Sequence, residues 1–320
     1  RPDRVVALVG RCCSPGTWVV TVDPGARRIV SESELDDDVS AVARAADSLV
    51  LLVTPRQQIG PSRLVVVAVD GSFRSVALAR VSAGTVYPNG TDTTTNEPIA
   101  QTRIPALAAD ADGSRAFVLQ PDGPAAEVDL RTLAVAYHDL RGPSSLLGRF
   151  AAWLTPAAQA KGANGPWRSA TWLGDGLLAL TGNDEHAVKK DSGLEMSSTP
   201  AGLAIVDTRD WSIRALDPGA TAVMPVDGLL LATGSSWTSN GGDPTGMGLA
   251  AYGADRSLRF RLLAGRSVWV SAALAGRAYV QISTSSGSPP VQIVDLASGK
   301  IVGERTAPVP MPVLGDAQVG

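Results

Sequence analysis

Three observations predict an all-β chain. First, one phrase recurs six times: an apolar strand, a turn opened by Asp, and a second strand. It reads TWVVTVDPGARRIV, RLVVVAVDGSFRSVAL, AAEVDLRTLAVAY, GLAIVDTRDWSIRAL, GLAAYGADRSLRF and VQIVDLASGKIVGE, anchored on Asp23, Asp70, Asp129, Asp207, Gly253 and Asp295. Second, the remaining apolar runs are of strand length, rich in Val, Leu and Ala, and bounded by Gly, Asp or Pro. Third, the phrase returns at a period of roughly forty residues with four strands per unit, which predicts a β-propeller.

The elements follow in order. Residues 1–34 supply RVVALVG, TWVVTVD and RRIVSES, three strands of a first blade that lacks its innermost one. Blade 2 occupies 39–80, blade 3 104–140, blade 4 168–217, blade 5 220–263 and blade 6 267–306, each parsed as strands A to D from the channel outward. PVPMPVLGD at 308–316, within 307–316, reads as the missing strand A of blade 1, so that both termini complete one blade and a six-bladed ring closes without a free edge. Asp112-Gly113, Asp175-Gly176 and Asp227-Gly228 suit tight A–B hairpins. Two insertions interrupt the period. Residues 81–103 are rich in Thr, Asn, Gly and Pro and read as a long loop; residues 144–161 place Leu146, Leu147, Phe150, Trp153, Leu154 and Ala157 at helical spacing.

Composition narrows the functional classes. At 320 residues and 44% hydrophobic, the chain is expected to form one closed all-β domain. Net charge is −3 with no Lys/Arg cluster, which argues against nucleic acid and anionic membrane as partners. No apolar run approaches the roughly 18–20 residues of a membrane span. The first residue is Arg1, so an upstream segment is expected to have been removed and the protein to be extracytoplasmic and monomeric. Cys12 and Cys13 are adjacent, so they close no loop that would staple the fold; free thiols and a vicinal disulfide both fit.

Two stretches, ADADGSRAFVL at 109–119 and VDLASGKIV at 294–302, resemble the repeats of the bacterial YVTN/WD40-like propeller family. The resemblance implies a propeller of a type often exported, and no particular reaction. The Gly-His and Trp-Asp pairs of eukaryotic WD repeats are missing, and no Trp follows the one Gly-Lys turn, as quinoprotein repeats would require.

Strand order places the D–A and B–C connections on one face and the short A–B and C–D turns on the other. The long connections (10–16, 81–103, 141–167, 182–202 and 234–248) all fall on the first face, which is where function is expected. Strand B ends there bring Arg11, Arg56, Gln57, Gln120, Asn183, His186, Ser235 and Ser283 to the mouth of the channel, with Trp237 expected in an exposed loop beside it. Arg, Gln, Ser and Thr at those ends favour a protein or a small anionic ligand over a cation. Asp184, Glu185, Asp191 and Glu195 offer oxygen ligands of the kind calcium takes, but without the regular spacing and turn Gly of a calcium loop; they read as a solvated charged loop, and no cofactor is expected. No nucleophile motif is present, and His138 on an outer strand reads as structural. The expected function is non-catalytic binding; the alternative is a channel-mouth hydrolase or lactonase carrying a divalent cation.

Overall fold

The computed structural model of the chain describes residues 4–10, 17–86, 100–120, 123–142, 165–190, 193–239, 243–284 and 290–305. Arg11, Cys12, Cys13, Asp191, the helix expected over 144–161 and the strand expected over 307–316 lie outside them. The described elements are strands: β1 (Val5–Gly10), β2 (Thr17–Asp23), β3 (Arg28–Leu35), β4 (Asp38–Ala45), β5 (Ser48–Thr54), β6 (Ile59–Ala68), β7 (Phe73–Val86), β8 (Gln101–Arg103), β9 (Ala106–Ala109), β10 (Arg115–Leu119), β11 (Ala125–Asp129) and β12 (Val135–His138). They continue as β13 (Gly165–Gly174), β14 (Leu177–Lys190), β15 (Gly193–Pro200), β16 (Leu203–Asp207), β17 (Ser212–Asp217), β18 (Ala222–Val226), β19 (Leu229–Thr238), β20 (Thr245–Tyr252), β21 (Leu258–Leu262), β22 (Val268–Leu274), β23 (Arg277–Ile282), β24 (Val291–Asp295) and β25 (Lys300–Arg305).

Within a sheet most strands consecutive in sequence pair antiparallel. The sheets run β1-β2-β3, then β4-β5-β6-β7-β8, β9-β10-β11-β12 and β22-β23-β24-β25. The remaining sheet has the order β17-β16-β14-β15-β19-β20-β21, with β13 on β14 and β18 on β19. Successive four-stranded meanders of this kind are propeller blades. The chain is a β-propeller.

The repeated Asp shapes the C–D turn. Asp23 Oδ1 accepts from the Ala26 N–H at 2.7 Å, Asp129 Oδ1 from the Thr132 N–H at 2.7 Å, and Asp295 Oδ1 from the Ser298 N–H at 2.8 Å. These bonds compete with solvent for the carboxylate and fix the turn locally. Hydrogen bonds from the Ser72 side chain, the Thr132 backbone and the Ser298 side chain hold Asp70, Asp129 and Asp295 below the usual carboxylate range. Four residues past Asp23, Asp129, Asp207 and Asp295 the backbone turns left-handed, at Arg27, Leu133, Trp211 and Gly299, with φ of 52°, 62°, 60° and 63°. The A–B turns Asp175-Gly176 and Asp227-Gly228 have positive φ at both residues, as the Asp-Gly pairs predict, because that backbone matches strand twist. Gly253 breaks the repeat, and the ends of the Arg259 and Asp255 side chains occupy the space a side chain would take there. Asp255 takes over the turn, accepting from the Ser257 N–H at 3.1 Å.

The chain divides into two compact units, one of Arg1–Leu180, Glu185–Leu194 and Ile205–Arg214, the other of Thr181–Asp184, Glu195–Ala204 and Ala215–Gly320. In the first, period-two alternation buries both faces of one sheet. Val50, Leu52, Leu64, Val66 and Leu78 pack with Leu107, Val118 and Val128, while Leu51, Val53, Val65 and Val67 pack with Val19 and Leu35. This two-sided burial is why the strands read as nearly unbroken apolar runs. Phe117 is fully buried, stacks on Trp172 with ring centroids 5.5 Å apart, and meets Trp211 at 6.3 Å. His138 stacks on Trp211 at 4.3 Å, with its Nε2 3.1 Å from Glu127 Oε2. In the second unit Leu231, Leu249 and Ala251 pack with Val268, Val280 and Val294.

The second unit also holds a buried polar network. Asp217 accepts from the Tyr252 hydroxyl, from Arg261 Nη2 at 2.6 Å and from the Gly219 N–H at 2.9 Å. Burial pushes its carboxyl up, but the hydrogen bonds from Tyr252, Gly219 and Arg261 outweigh burial and hold it below the usual range. Burial first, and the Asp217 carboxylate second, drive the Tyr252 phenol well above its ordinary value.

Candidate functional site

Among the described residues, parts of three of the long connections are strands where the sequence reads as loop. β7 runs on through Val86, and β8 returns to pair with it at Gly84↔Arg103 and Val86↔Gln101. Val81 and Ala83, both buried, continue the alternation that keeps β7 extended. β14 and β15 cover most of 182–202, and β19 and β20 most of 234–248. Within the second unit these ribbons are laced together. Ser197 and Ser198 register with Thr238 and Trp237, the Ser239 N–H donates to the Met196 carbonyl at 2.7 Å, and Ser239 Oγ accepts from the Met196 N–H at 2.8 Å. Ser236 Oγ donates to the Ser198 carbonyl at 3.2 Å. Lateral pairing satisfies backbone groups that a free loop would leave to water, so a Ser/Thr-rich run stays extended.

These facts relocate several expected site residues. Trp237 lies in β19 and is half-buried, not in an exposed loop, because its backbone registers with Ser198. Asn183 Nδ2 donates to Ser198 Oγ at 3.0 Å. Ser235 and Ser283 flank the buried Ser267, whose Oγ lies 2.8 Å and 3.0 Å from theirs. His186 is exposed on β14. Asp184 is buried, Glu185 and Glu195 are half-buried, and each has interaction partners within the protein. Among the described residues no three His, Cys, Asp or Glu side chains gather as a metal site would need.

In the first unit Gln120 is buried and fully engaged. Its Oε1 accepts from the Ser82 N–H at 3.1 Å, and its Nε2 donates to the Arg80 and Pro124 carbonyls at 2.6 and 3.0 Å. A group so committed ties β10 to β7 and has no donor left for a ligand. Arg56 is half-buried with its Nε unpartnered, and Gln57, at φ 52°, is exposed.

Gln57 opens into a cleft of about 410 Å³ lined also by Thr17, Asp38, Val39, Ser40, Thr54, Thr85, Ile104 and Trp167. By strand direction these residues sit at the loop-rich ends of β4, β5 and β7. Trp167, 45% exposed, is brought there by a parallel bridge to Ile104, in which the Ile104 N–H donates to Pro166 O at 3.0 Å and the Arg168 N–H to Ile104 O at 2.9 Å. Gly165 permits this approach, since a Cβ at its φ of +141° would stand 1.8 Å from the Thr102 carbonyl oxygen. Sequence reasoning missed Asp38, Ser40, Thr54 and Trp167. The available signals were the Asp36–Asp38 run before a strand and a Trp directly after Gly-Pro.

A larger cleft, about 670 Å³, lies on the short-turn side of the second unit, between the Asp227-Gly228, Gly253-Ala254 and Leu296–Ser298 turns and beside Arg259 and Phe260. The short-turn face is therefore not featureless.

No protein-family model matches the chain, and no curated protein matches it. Among solved structures it is similar to apo prolyl oligopeptidase B from Galerina marginata, at 8% identity and a TM-score of 0.50 over 92% of this chain. It spans only 39% of that enzyme's length. It is also similar to the Swd1 β-propeller domain of Myceliophteria thermophila, at 12% identity and a TM-score of 0.46 over 97% of this chain and 89% of that one. A further similarity is to BamB from Moraxella catarrhalis, at 14% identity and a TM-score of 0.41 over 94% and 79% of the two chains. At such identities the likeness concerns the fold alone. Among the described residues no helix is long and apolar enough to cross a membrane.

Proposed function

We propose that the chain is a non-catalytic recognition propeller that engages a protein or another macromolecule through its loop-rich face, as an extracytoplasmic monomer without a cofactor. One observation carries this reading: the long connections of that face are built as hydrogen-bonded ribbons laced at Ser197–Ser198 and Trp237–Thr238. Such a surface is pre-organised, which lowers the entropic cost of binding. The test is a screen of purified partners and of ester, lactone and phosphoester substrates, with and without calcium. Binding lost in Trp237→Ala and kept in a short-turn variant supports the reading. Turnover with any substrate class, abolished in Asn183→Ala, would refute it in favour of the hydrolase alternative.

We further propose that the ring has six blades, closed by residues 307–316 as the innermost strand of the first, in the manner of YVTN-type repeats. The support is that β1 pairs with β2 on one side and has no partner strand on its other side among the described residues. Truncation after Arg305 is expected to lower the melting temperature by several degrees; an unchanged melting temperature would exclude the closure.

A further inference from the structure

The cleft at Trp167 carries a single formal charge, the Asp38 carboxylate, beside hydroxyls whose protons are already committed. Thr54, itself buried, spends its hydroxyl proton on the Asp38 carbonyl at 3.3 Å, and Ser40 spends its proton on the Leu52 carbonyl at 3.2 Å. Both oxygens therefore turn only lone pairs toward the cleft. The Asp38 carboxylate, an acceptor by nature, makes no hydrogen bond or ion pair among the described residues. Its neighbour Asp37 takes Arg63 at 3.3 Å, so that cation is already committed. Arg168 turns Nη1 to the Trp167 carbonyl at 3.1 Å, and Arg56 forms no ion pair among the described residues. Neither guanidinium is part of the cleft lining. Beside these acceptors stands the exposed indole of Trp167, whose face attracts positive charge.

We propose that this cleft binds an organic cation, a protonated amine or guanidinium, with Asp38 as counter-ion, Ser40 and Thr54 as acceptors and Trp167 as the aromatic wall. Gln57, Thr17 and Thr85 in the same lining also carry donors, but the only formal charge among the lining residues is the Asp38 carboxylate, which favours a cation over the anionic ligand expected from the sequence. The inference rests on the recognition reading and names what the loop-rich face of the first unit recognises. Two sources carry the same chemistry: a Lys or Arg side chain of a protein partner, or a free amine such as spermidine.

The experiment is calorimetric titration of the full chain at low salt with spermidine, with N-acetyl-arginine methylamide, with an acetylated Gly-Arg-Gly peptide, and with the citrulline counterparts as neutral controls. Saturable binding of at least one cation with Kd at or below about 1 mM is expected. Asp38→Asn is expected to weaken it about tenfold or more through loss of a charge-assisted contact, and Trp167→Leu about two- to fivefold. Binding of the free amine assigns a small-molecule source; binding confined to the peptide assigns a partner's side chain. Equal binding of arginine and citrulline probes, wild-type affinity in Asp38→Asn, or no saturable binding of any cation would overturn the proposal. Should Asp38→Asn fail to fold, Trp167→Leu decides, because its side chain is exposed. The two readings fail separately: absent cation binding with Trp237-dependent partner binding intact refutes only the cation site, whereas substrate turnover refutes only the recognition reading.

Discussion

Replacing Asp217 by Ala is expected to be the costliest single change in the second unit outside its apolar core. The carboxylate is 4% exposed and accepts hydrogen bonds from the buried Tyr252 hydroxyl, the Arg261 guanidinium and the Gly219 N–H. Removing it strands three donors. The buried phenol and the half-buried Gly219 amide then lack their partner, at about 1–3 kcal/mol each, with the amide at the lower end. Arg261, 35% exposed at its side chain, recovers part of its solvation, so its share is discounted. The sum is about 3–5 kcal/mol, the range typical for breaking a buried charged pair, against a total stability of about 5–15 kcal/mol. Tyr252→Phe removes one donor and leaves the carboxylate two others, so about 1–2 kcal/mol is expected. Urea unfolding followed by near-UV circular dichroism measures both. The pH dependence supplies an independent check. Asp217 has a folded pKa below its unfolded value, so its contribution is fully present above the unfolded pKa of about 4 and is lost as pH falls through the folded pKa. The stability gap between wild type and Asp217→Asn is therefore expected to be flat above about pH 5 and to shrink below pH 4. A loss under about 1 kcal/mol in Asp217→Ala, or a gap unchanged in acid, would refute the reasoning.

Gln120→Ala leaves the Ser82 N–H and the Arg80 and Pro124 carbonyls without their partner, so a loss of about 2–3 kcal/mol is expected by urea titration with loop-face binding unaltered. Arg27→Gly relieves an exposed left-handed residue at φ 52°, and a gain of about 0.5–1 kcal/mol in the same assay is expected; a loss would mean that the arginine contributes more than its backbone costs. Gly234→Ala would place a Cβ 1.7 Å from the Gly219 carbonyl oxygen inside the β19 bulge, for which about 2–3 kcal/mol of destabilisation and a lowered thermal midpoint are expected.

Much of the architecture is legible in the sequence because it is local. The recurrent Asp ends a strand and closes its own turn within three residues, as Asp129 does with Thr132 and Asp295 with Ser298. Two-residue Asp-Gly turns set their hairpins without outside help, and alternation along LVVVAV states that both faces are covered. The connections were misread for the opposite reason. Nothing in the Ser, Thr and Asn of 182–202 or 234–248 announces a strand, since each ribbon is held extended by the other, and Ser198 finds Trp237 only when the two ribbons pair. The candidate site divides in the same way. Gln57 was picked out as a polar residue leaving a strand and does open into the cleft, while Gln120, chosen by the same rule, is consumed by carbonyls and an amide of the neighbouring strand.

The sequence by itself determined the recurrent strand–Asp turn–strand units, because propensity, turn chemistry and period act over a few residues. Only the tertiary structure decided that Asp38 and Trp167 share a cleft, that Asp217 is buried against Tyr252 and Arg261, and that Gly165 must leave room for the Thr102 carbonyl. These are meetings between groups distant along the chain or matters of steric room. They are set by how blades and strands pack, which no local pattern encodes.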